Sequence, residues 1–444
     1  MSIVHKRKRL TSFQIIIFGF ALVILMGSFL LMLPISTQDG GGASFYDALF
    51  TSTSAVCVTG LVVHDTATYW SSFGQTVILA LIQIGGMGVV TVAVSLAVIS
   101  GRKIDLMQRS TMQEAISAPQ MGGIVRLTEF ILKMTFVFEV TGALVMLPVF
   151  ASEFGVKKGI WYAVFHSISA FCNAGFDLMG EREKFSSLTS FSSEPVINLT
   201  VMALIVIGGI GFLTWDDIRE KKLHLRRYRM QSKVILTVTL LLILVPAVYF
   251  YFGELTAAPV KERIWGSLFQ SVTPRTAGFN TVDLTTFSEA GIAIMIVLMI
   301  IGGSPGSTAG GMKTTTIAVL FASASAVFYR REDAHFFNRR IPIEVIRNAA
   351  AILLMYLVLF FGGGLVISRV ENLPLLSCLF ETASAIGTVG LSLGLTPDLG
   401  LLSRGILVVL MFFGRVGGLT LIFAAVSGTK NHSSRLPQEK ITVG

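Results

Sequence analysis

The sequence predicts an all-α polytopic membrane protein with eight transmembrane helices, built as four span/pore-loop/span modules with pseudo-four-fold symmetry around one pore. Three observations carry this expectation. First, the 444 residues are 53 % hydrophobic and 14 % charged with a mean hydropathy of +0.73, too apolar and too charge-poor for an ordinary water-soluble domain. Second, eight apolar runs are long enough to cross a hydrocarbon core that needs about 20 residues; they lie near 12–34, 75–99, 129–150, 194–214, 232–252, 289–327 (interrupted), 346–368 and 403–427. Third, one motif recurs between the members of each pair. It reads Phe, any residue, Ser/Thr, any residue, Ser/Thr, then small residues into Gly and Leu or Phe.

In chain order, Lys6, Arg7, Lys8 and Arg9 precede the first run with no small-residue cleavage site behind it, so that run reads as an uncleaved span rather than a signal peptide. The motif copies are Phe50 to Leu61, Phe165 to Phe176, Phe269 to Phe279 (one residue shorter) and Phe380 to Leu391. Their glycines, at 60, 175, 278 and 390, are more than a hundred residues apart, so the repeat is a whole structural module and not a solenoid turn. The module boundaries expected from this spacing are 1–100, 101–215, 216–330 and 331–444.

The formal net charge of +9 does not point to nucleic acid, because Lys and Arg gather in the loops between runs, while 35–74, which holds the first motif copy, has none. Excess Lys and Arg mark the cytoplasmic side, which predicts a multi-pass protein of the cell membrane with both termini inside and the motif loops entering from outside. The cysteines, Cys57, Cys172 and Cys378, lie in apolar context with no disulfide framework or metal-ligand spacing.

Each motif copy has the layout of a short helix running into an extended, glycine-bearing turn. Taken alone, such a copy is a Ser/Thr-rich turn between helices. Four aligned copies read instead as re-entrant loops, tolerated at membrane depth where they are buried or line a watery cavity. Four loops meeting on an axis can offer rings of backbone carbonyls that replace a cation's hydration shell. Thr388-Val-Gly-Leu391 is close to the Thr-Val-Gly-Tyr-Gly filter of potassium channels, and the whole chain resembles the membrane subunit of the Trk/Ktr/HKT superfamily of potassium transporters. The resemblance implies a selectivity filter formed by Val58, Thr59, Gly60 and Leu61; Asn173, Ala174, Gly175 and Phe176; Thr276, Ala277, Gly278 and Phe279; and Thr388, Val389, Gly390 and Leu391. Gly60, where sodium-selective plant members carry Ser, implies potassium. The short N-terminus looks more like the Ktr type than the longer Trk type, which implies sodium stimulation, a homodimer, and a cytosolic regulatory ring of RCK/KTN type that binds ATP or ADP. No covalent cofactor is expected on this chain, and no metal beyond the transported ion.

The second run of each pair carries a further mark: Ile84 to Gly88, Ile207 to Gly211, Ile301 to Gly306 and Phe413 to Gly417. Small residues there let helices approach closely. In the third module the mark extends through Gly302, Gly303, Pro305, Gly306, Gly310 and Gly311 to Lys313, a run that cannot stay helical. It is not a nucleotide-binding P-loop: Met312 separates Gly311 from Lys313, and no strand precedes it. In the resembling family an intramembrane loop here is the gate, assigned to 302–316; a packing kink is the alternative. In the fourth module Arg415 stands where the others have Gly86, Gly209 and Gly303, and reads as a positive charge in the pathway just below the filter, placed to hydrogen-bond carbonyls freed by the broken third module and hold that loop shut; the alternative is a structural arginine satisfied by carbonyls at a helix–helix contact.

The function expected is potassium uptake across the cell membrane. The alternative is a secondary carrier for a small solute or a proton-coupled cation symporter, for which Glu139, alone on its apolar span, is the candidate relay, although a lone carboxylate is more often a helix-packing or interfacial group. An enzyme is not expected, since the six His form no H-E-x-x-H pattern.

Overall fold

The computed structural model describes residues 11–99, 104–116, 120, 122–222, 224–418 and 420. The basic N-terminus and the tail lie outside the described residues. The order of elements repeats four times: a long helix, a short helix, a glycine loop and a second helix, which breaks in the first three.

The first repeat has α1 (Ser12–Leu31), α2 (Phe45–Val56), the helical turn α3 (Thr66–Tyr69), α4 (Ser72–Met87) and α5 (Val89–Ile99), followed by a connecting helix α6 (Leu106–Ile116). The second has α7 (Ile124–Phe154), α8 (Val156–Phe171), α9 (Pro195–Gly209) and α10 (Phe212–Lys221). The third has α11 (Met230–Tyr249), α12 (Val260–Val272), α13 (Glu289–Ile300) and α14 (Thr314–Phe328). The fourth has α15 (Ile343–Glu371), α16 (Leu375–Gly387) and α17 (Leu401–Val416), with a two-residue hairpin, His335–Phe336 against Arg339–Arg340, leading into it.

Local signals set the helix starts. Ser44, Ser71 and Ser288 cap α2, α4 and α13 by accepting from the amide three residues on, and Thr11 with Gln14 forms a capping box on α1. Each long helix packs against the short helix that follows it. In the first two repeats this contact is the same in detail. An added Cβ at Gly27 or Gly142 would come within 2.5 Å of Ser52 Oγ or Ser167 Oγ, and those hydroxyls donate to Ile24 O at 2.7 Å and Glu139 O at 2.6 Å.

Among the described residues, four helices, α1, α7, α11 continued by a π turn to Glu254, and α15, are long and apolar enough to cross a membrane alone; the bent pairs α4/α5 and α9/α10 bring the number to six. The runs at 75–99 and 194–214, expected as single spans, both turn by 96°. Gly88 at φ +86° and Gly211 at φ +92° make the turns, and Gly417 at φ +88° ends α17 at the equivalent place. Only glycine reaches such φ without steric cost. In the third repeat the break widens into the segment 301–313 between α13 and α14.

The close approach expected of the other motif glycines is present. A Cβ at Gly85, Gly208 or Gly414 would overlap the carbonyl of Val56, Phe171 or Ile386, the C-terminal ends of α2, α8 and α16. Gly208→Val should therefore push α9 off α8, with an expected loss of about 1–3 kcal/mol, read as a lowered melting temperature of the detergent-purified protein. An unchanged melting temperature would refute the packing role.

Candidate functional site

The four motif copies occupy corresponding places, each starting in a short helix (α2, α8, α12, α16) and ending in the loop beyond it. Phe50, Phe165, Phe269 and Phe380, which open the copies, are buried and anchor those helices in the core. Past the helix ends the backbone follows one pattern. Val58, Asn173, Thr276 and Thr388 have φ of +50°, +57°, +73° and +51°, and the glycines two residues on, Gly60, Gly175, Gly278 and Gly390, have +92°, +68°, +81° and +95°. The residue between keeps a negative φ. In a strand successive carbonyls point to opposite sides, and this alternation in the sign of φ turns them toward one side. A left-handed conformation costs a non-glycine residue about 1–2 kcal/mol, so four such residues at equivalent positions mark a backbone held by its surroundings.

The loops close on one another. A Cβ built on Gly60 would overlap Ala174 O; on Gly175, Ala277 O; on Gly278, Val389 O; and on Gly390, Thr59 O. The loops thus follow the ring order one, two, three, four and back to one. Each glycine is pressed against the carbonyl just before the next glycine, which is why no side chain fits at any of the four. The residues that follow them, Leu61, Phe176, Phe279 and Leu391, are buried beside the ring.

The second Ser/Thr of each copy holds its loop. Ser54 Oγ and Ser384 Oγ each accept from the amide of their own loop glycine at 3.0 Å, while Ser169 Oγ and Thr273 Oγ1 donate to Phe176 O at 2.7 Å and Phe279 O at 2.5 Å. The carbonyls of the same four residues accept from the amides of Thr59, Ala174, Ala277 and Val389 at 2.8, 2.8, 2.9 and 2.8 Å. In the sequence these hydroxyls served only to align the copies; their recurrence five or six residues before each glycine was the signal of a loop clamp.

The segment Gly302 to Lys313 forms a hairpin-like loop beneath the ring. Gly302 N donates to Met312 O at 2.7 Å and Thr314 N to Gly303 O at 3.0 Å, which closes its base. Its tip lies on repeat two: Ser304 N and Thr308 N donate to Gly209 O and Gly208 O at 3.0 and 3.2 Å, Phe212 N donates to Gly306 O at 2.6 Å, and Pro305 O lies against Gly211. Gly311 N donates to Gly414 O of repeat four at 3.1 Å, and a Cβ at Gly310 would strike the Thr388 side chain. The loop therefore sits directly against the fourth motif copy.

Arg415 reaches across from α17. Its guanidinium donates to Thr308 O at 2.5 Å, to Gly86 O at 3.0 Å and to Gly85 O. Those carbonyls belong to the hairpin-like loop and to the broken end of α4, where a helix end leaves carbonyls free to take such a donor; Gly85 O also accepts from Gly88 N at 3.1 Å. Lys313 Nζ donates to Ala309 O and Gly310 O at 2.9 and 3.2 Å. Among the described residues neither cation pairs with a carboxylate. Both line a cavity of about 250 Å³, together with Gly311, Glu114 and Tyr356.

Glu139 is buried and accepts from Gln83 Nε2 at 2.9 Å, with the thiol of Cys172, which precedes Asn173, 4.0 Å from its Oε1. All three cysteines are free and buried, and among the described residues no group of His, Cys, Asp and Glu is arranged to hold a metal.

Residues 5–434 match the family model TrkH, a cation transport protein. The chain is 40 % identical to the potassium/sodium uptake protein NtpJ of Enterococcus hirae, covering 100 % of both chains. It is 38 % identical to the Ktr system potassium uptake protein B of Bacillus subtilis, over 99 % of this chain and 98 % of that one. The crystal structure of the potassium transporter TrkH from Vibrio parahaemolyticus superposes with a TM-score of 0.74 at 20 % identity, covering 95 % of this chain and 86 % of that one, a likeness of fold. A family match over nearly the whole length, together with full-length relatives at this identity, means that the chain belongs to the TrkH family of cation transport proteins, which are membrane transporters and not enzymes.

Proposed function

We propose that the chain is the membrane subunit of a potassium uptake system stimulated by sodium, and that its four glycine loops form the selectivity filter. The observation that carries this reading is the closed ring: four backbone segments with the same alternation of φ, each glycine against its neighbour's carbonyl. Rings of carbonyls turned to one side replace the hydration shell of a dehydrated monovalent cation. The names of the relatives, potassium/sodium uptake protein and potassium uptake protein B, agree with this choice of ion. The purified chain in proteoliposomes should take up rubidium tracer, with potassium competing strongly and sodium weakly. Equal competition by sodium, or a flux that follows protons instead, would overturn the reading.

In this proposal the loop Gly302 to Lys313, with Arg415, is the gate, and the four repeats are the modules 1–100, 101–215, 216–330 and 331–444. The glycine loops open to the outside and both termini lie in the cytoplasm of the cell, in keeping with the basic segments between repeats. The chain works as a homodimer on an RCK/KTN-type ring that binds ATP or ADP. Arg226, Arg227, Arg330, Arg331, Arg339 and Arg340 are exposed and supply basic contacts for such a ring. Light scattering on protein purified from its native membrane should report a dimer that co-purifies with an ATP-binding subunit. A monomer without a nucleotide-binding companion would exclude this assembly.

A further inference from the structure

The residue after the opening phenylalanine of each motif copy is Thr51, His166, Gln270 or Glu381, and three residues beyond each loop glycine stand Val63, Leu178, Thr281 and Leu393. In repeats two and four a side chain of the first set holds the backbone of the second. Leu178 N donates to His166 Nε2 at 3.3 Å, and Leu393 N donates to Glu381 Oε1 at 3.0 Å. His166 Nδ1 lies 2.7 Å from Tyr162 O, which places the ring proton on Nδ1 and leaves Nε2 as the acceptor. Glu381 also accepts from Ser392 Oγ on Oε1 and from Thr396 Oγ1 on Oε2, both at 2.6 Å. Both side chains are fully buried.

Repeats one and three are held differently. Gln270 is fully buried with neither carboxamide atom paired, and the Thr281 hydroxyl is likewise unpaired, so the equivalent clamp is not made. The third loop leans instead on the second: Leu188 N donates to Asn280 O at 3.0 Å and Asn280 N to Ser187 Oγ at 3.2 Å. The first loop does the same through Asp65, whose Oδ2 accepts from Phe185 N at 3.1 Å. By the ring order, the two internally clamped loops face each other across the axis.

We propose that His166 and Glu381 are positioning residues for cation discrimination, acting through the backbone they hold to fix the separation of opposing carbonyls in repeats two and four. This rests on the filter reading above. Neither residue touches the ion. A buried amide that loses its acceptor forces its loop to rearrange, and the carbonyls three residues upstream move with it.

The test is the ratio of rubidium to sodium tracer flux in proteoliposomes holding the full chain. Glu381→Ala and His166→Ala should each lower that ratio about tenfold, whereas Glu381→Gln, which keeps an acceptor for Leu393 N, should stay within about threefold of the parent. A purely structural role would lower yield and total flux but leave the ratio alone. Should Glu381→Ala fail to fold, Thr396→Val removes one partner of the carboxylate while sparing α16, and should still lower the ratio severalfold. An unchanged ratio in the folded variants at both positions overturns the proposal. Gly390→Ser in the same vesicles separates the two ideas. If it also leaves the ratio unchanged, the filter reading fails; if it collapses the ratio while the clamp variants do not, only the clamp fails.

Discussion

Gly60→Ser is expected to reduce potassium-over-sodium discrimination at least tenfold while leaving the protein folded. Two costs act together. A serine at φ +92° is strained by about 1–2 kcal/mol, and its Cβ overlaps Ala174 O, a carbonyl of the neighbouring loop. The loop can relax only by moving one ring carbonyl or the other. Every 1.4 kcal/mol lost in the difference between the two ions is about a factor of ten. Gly278→Ser, whose Cβ overlaps Val389 O, should behave alike. The measurement is tracer uptake of rubidium against sodium, beside a melting curve to verify folding. Unchanged discrimination in both variants would refute the assignment of these loops as the filter.

Arg415→Ala is expected to raise maximal potassium flux on the order of thirty-fold, the effect of removing a unit charge about 8 Å from the ion at an effective dielectric near 20. The structure adds a second cause. The guanidinium holds Thr308 O of the loop and Gly85 and Gly86 O of α4 at once, so its removal also unfastens the loop from repeat one. Deleting Ser304 to Gly311 should raise flux in the same direction with little change in apparent affinity, since the glycine ring is left intact. Stopped-flow or tracer flux at equal protein level checks both. Reduced flux with poor yield would make Arg415 a structural tie and nothing more.

The repeats were legible because the motif glycines, phenylalanines and hydroxyls do the same local task four times, and local tasks leave residue-type signatures. Phe50, Ser54 and Gly60 can be aligned with Phe380, Ser384 and Gly390 by eye, and the structure gives those pairs matching burial, hydrogen bonds and φ. The ring order was not legible, since nothing in a linear sequence says which loop abuts which. The bends at Gly88 and Gly211 were hidden for a different reason: apolar runs on both sides of a single glycine keep the hydropathy of one continuous span, and hydropathy does not sense direction. Arg415 was visible as an anomaly, a charge among glycines. A bond from it to carbonyls of the broken third module could be read from sequence, and Thr308 O is one; its bonds to Gly85 O and Gly86 O could not, because those carbonyls lie more than three hundred residues away in another module. Glu139 was legible from sequence as a lone carboxylate on an apolar span, either a relay or a helix-packing group; its partner Gln83 on α4 was not legible, being 56 residues away in sequence.

The short helices α2, α8, α12 and α16 all run toward the ring and end at it. A helix carries a macrodipole equivalent to about half a negative charge at its C-terminus, so four such ends aimed at one place amount to about two negative charges spread over backbone. None of the sixteen loop residues from Val58 to Leu61, Asn173 to Phe176, Thr276 to Phe279 and Thr388 to Leu391 is acidic. In the filter reading, the attraction these sixteen residues exert on a cation is therefore written into peptide groups, which bind no proton. It is also diffuse, which suits a monovalent ion that must leave as readily as it arrives.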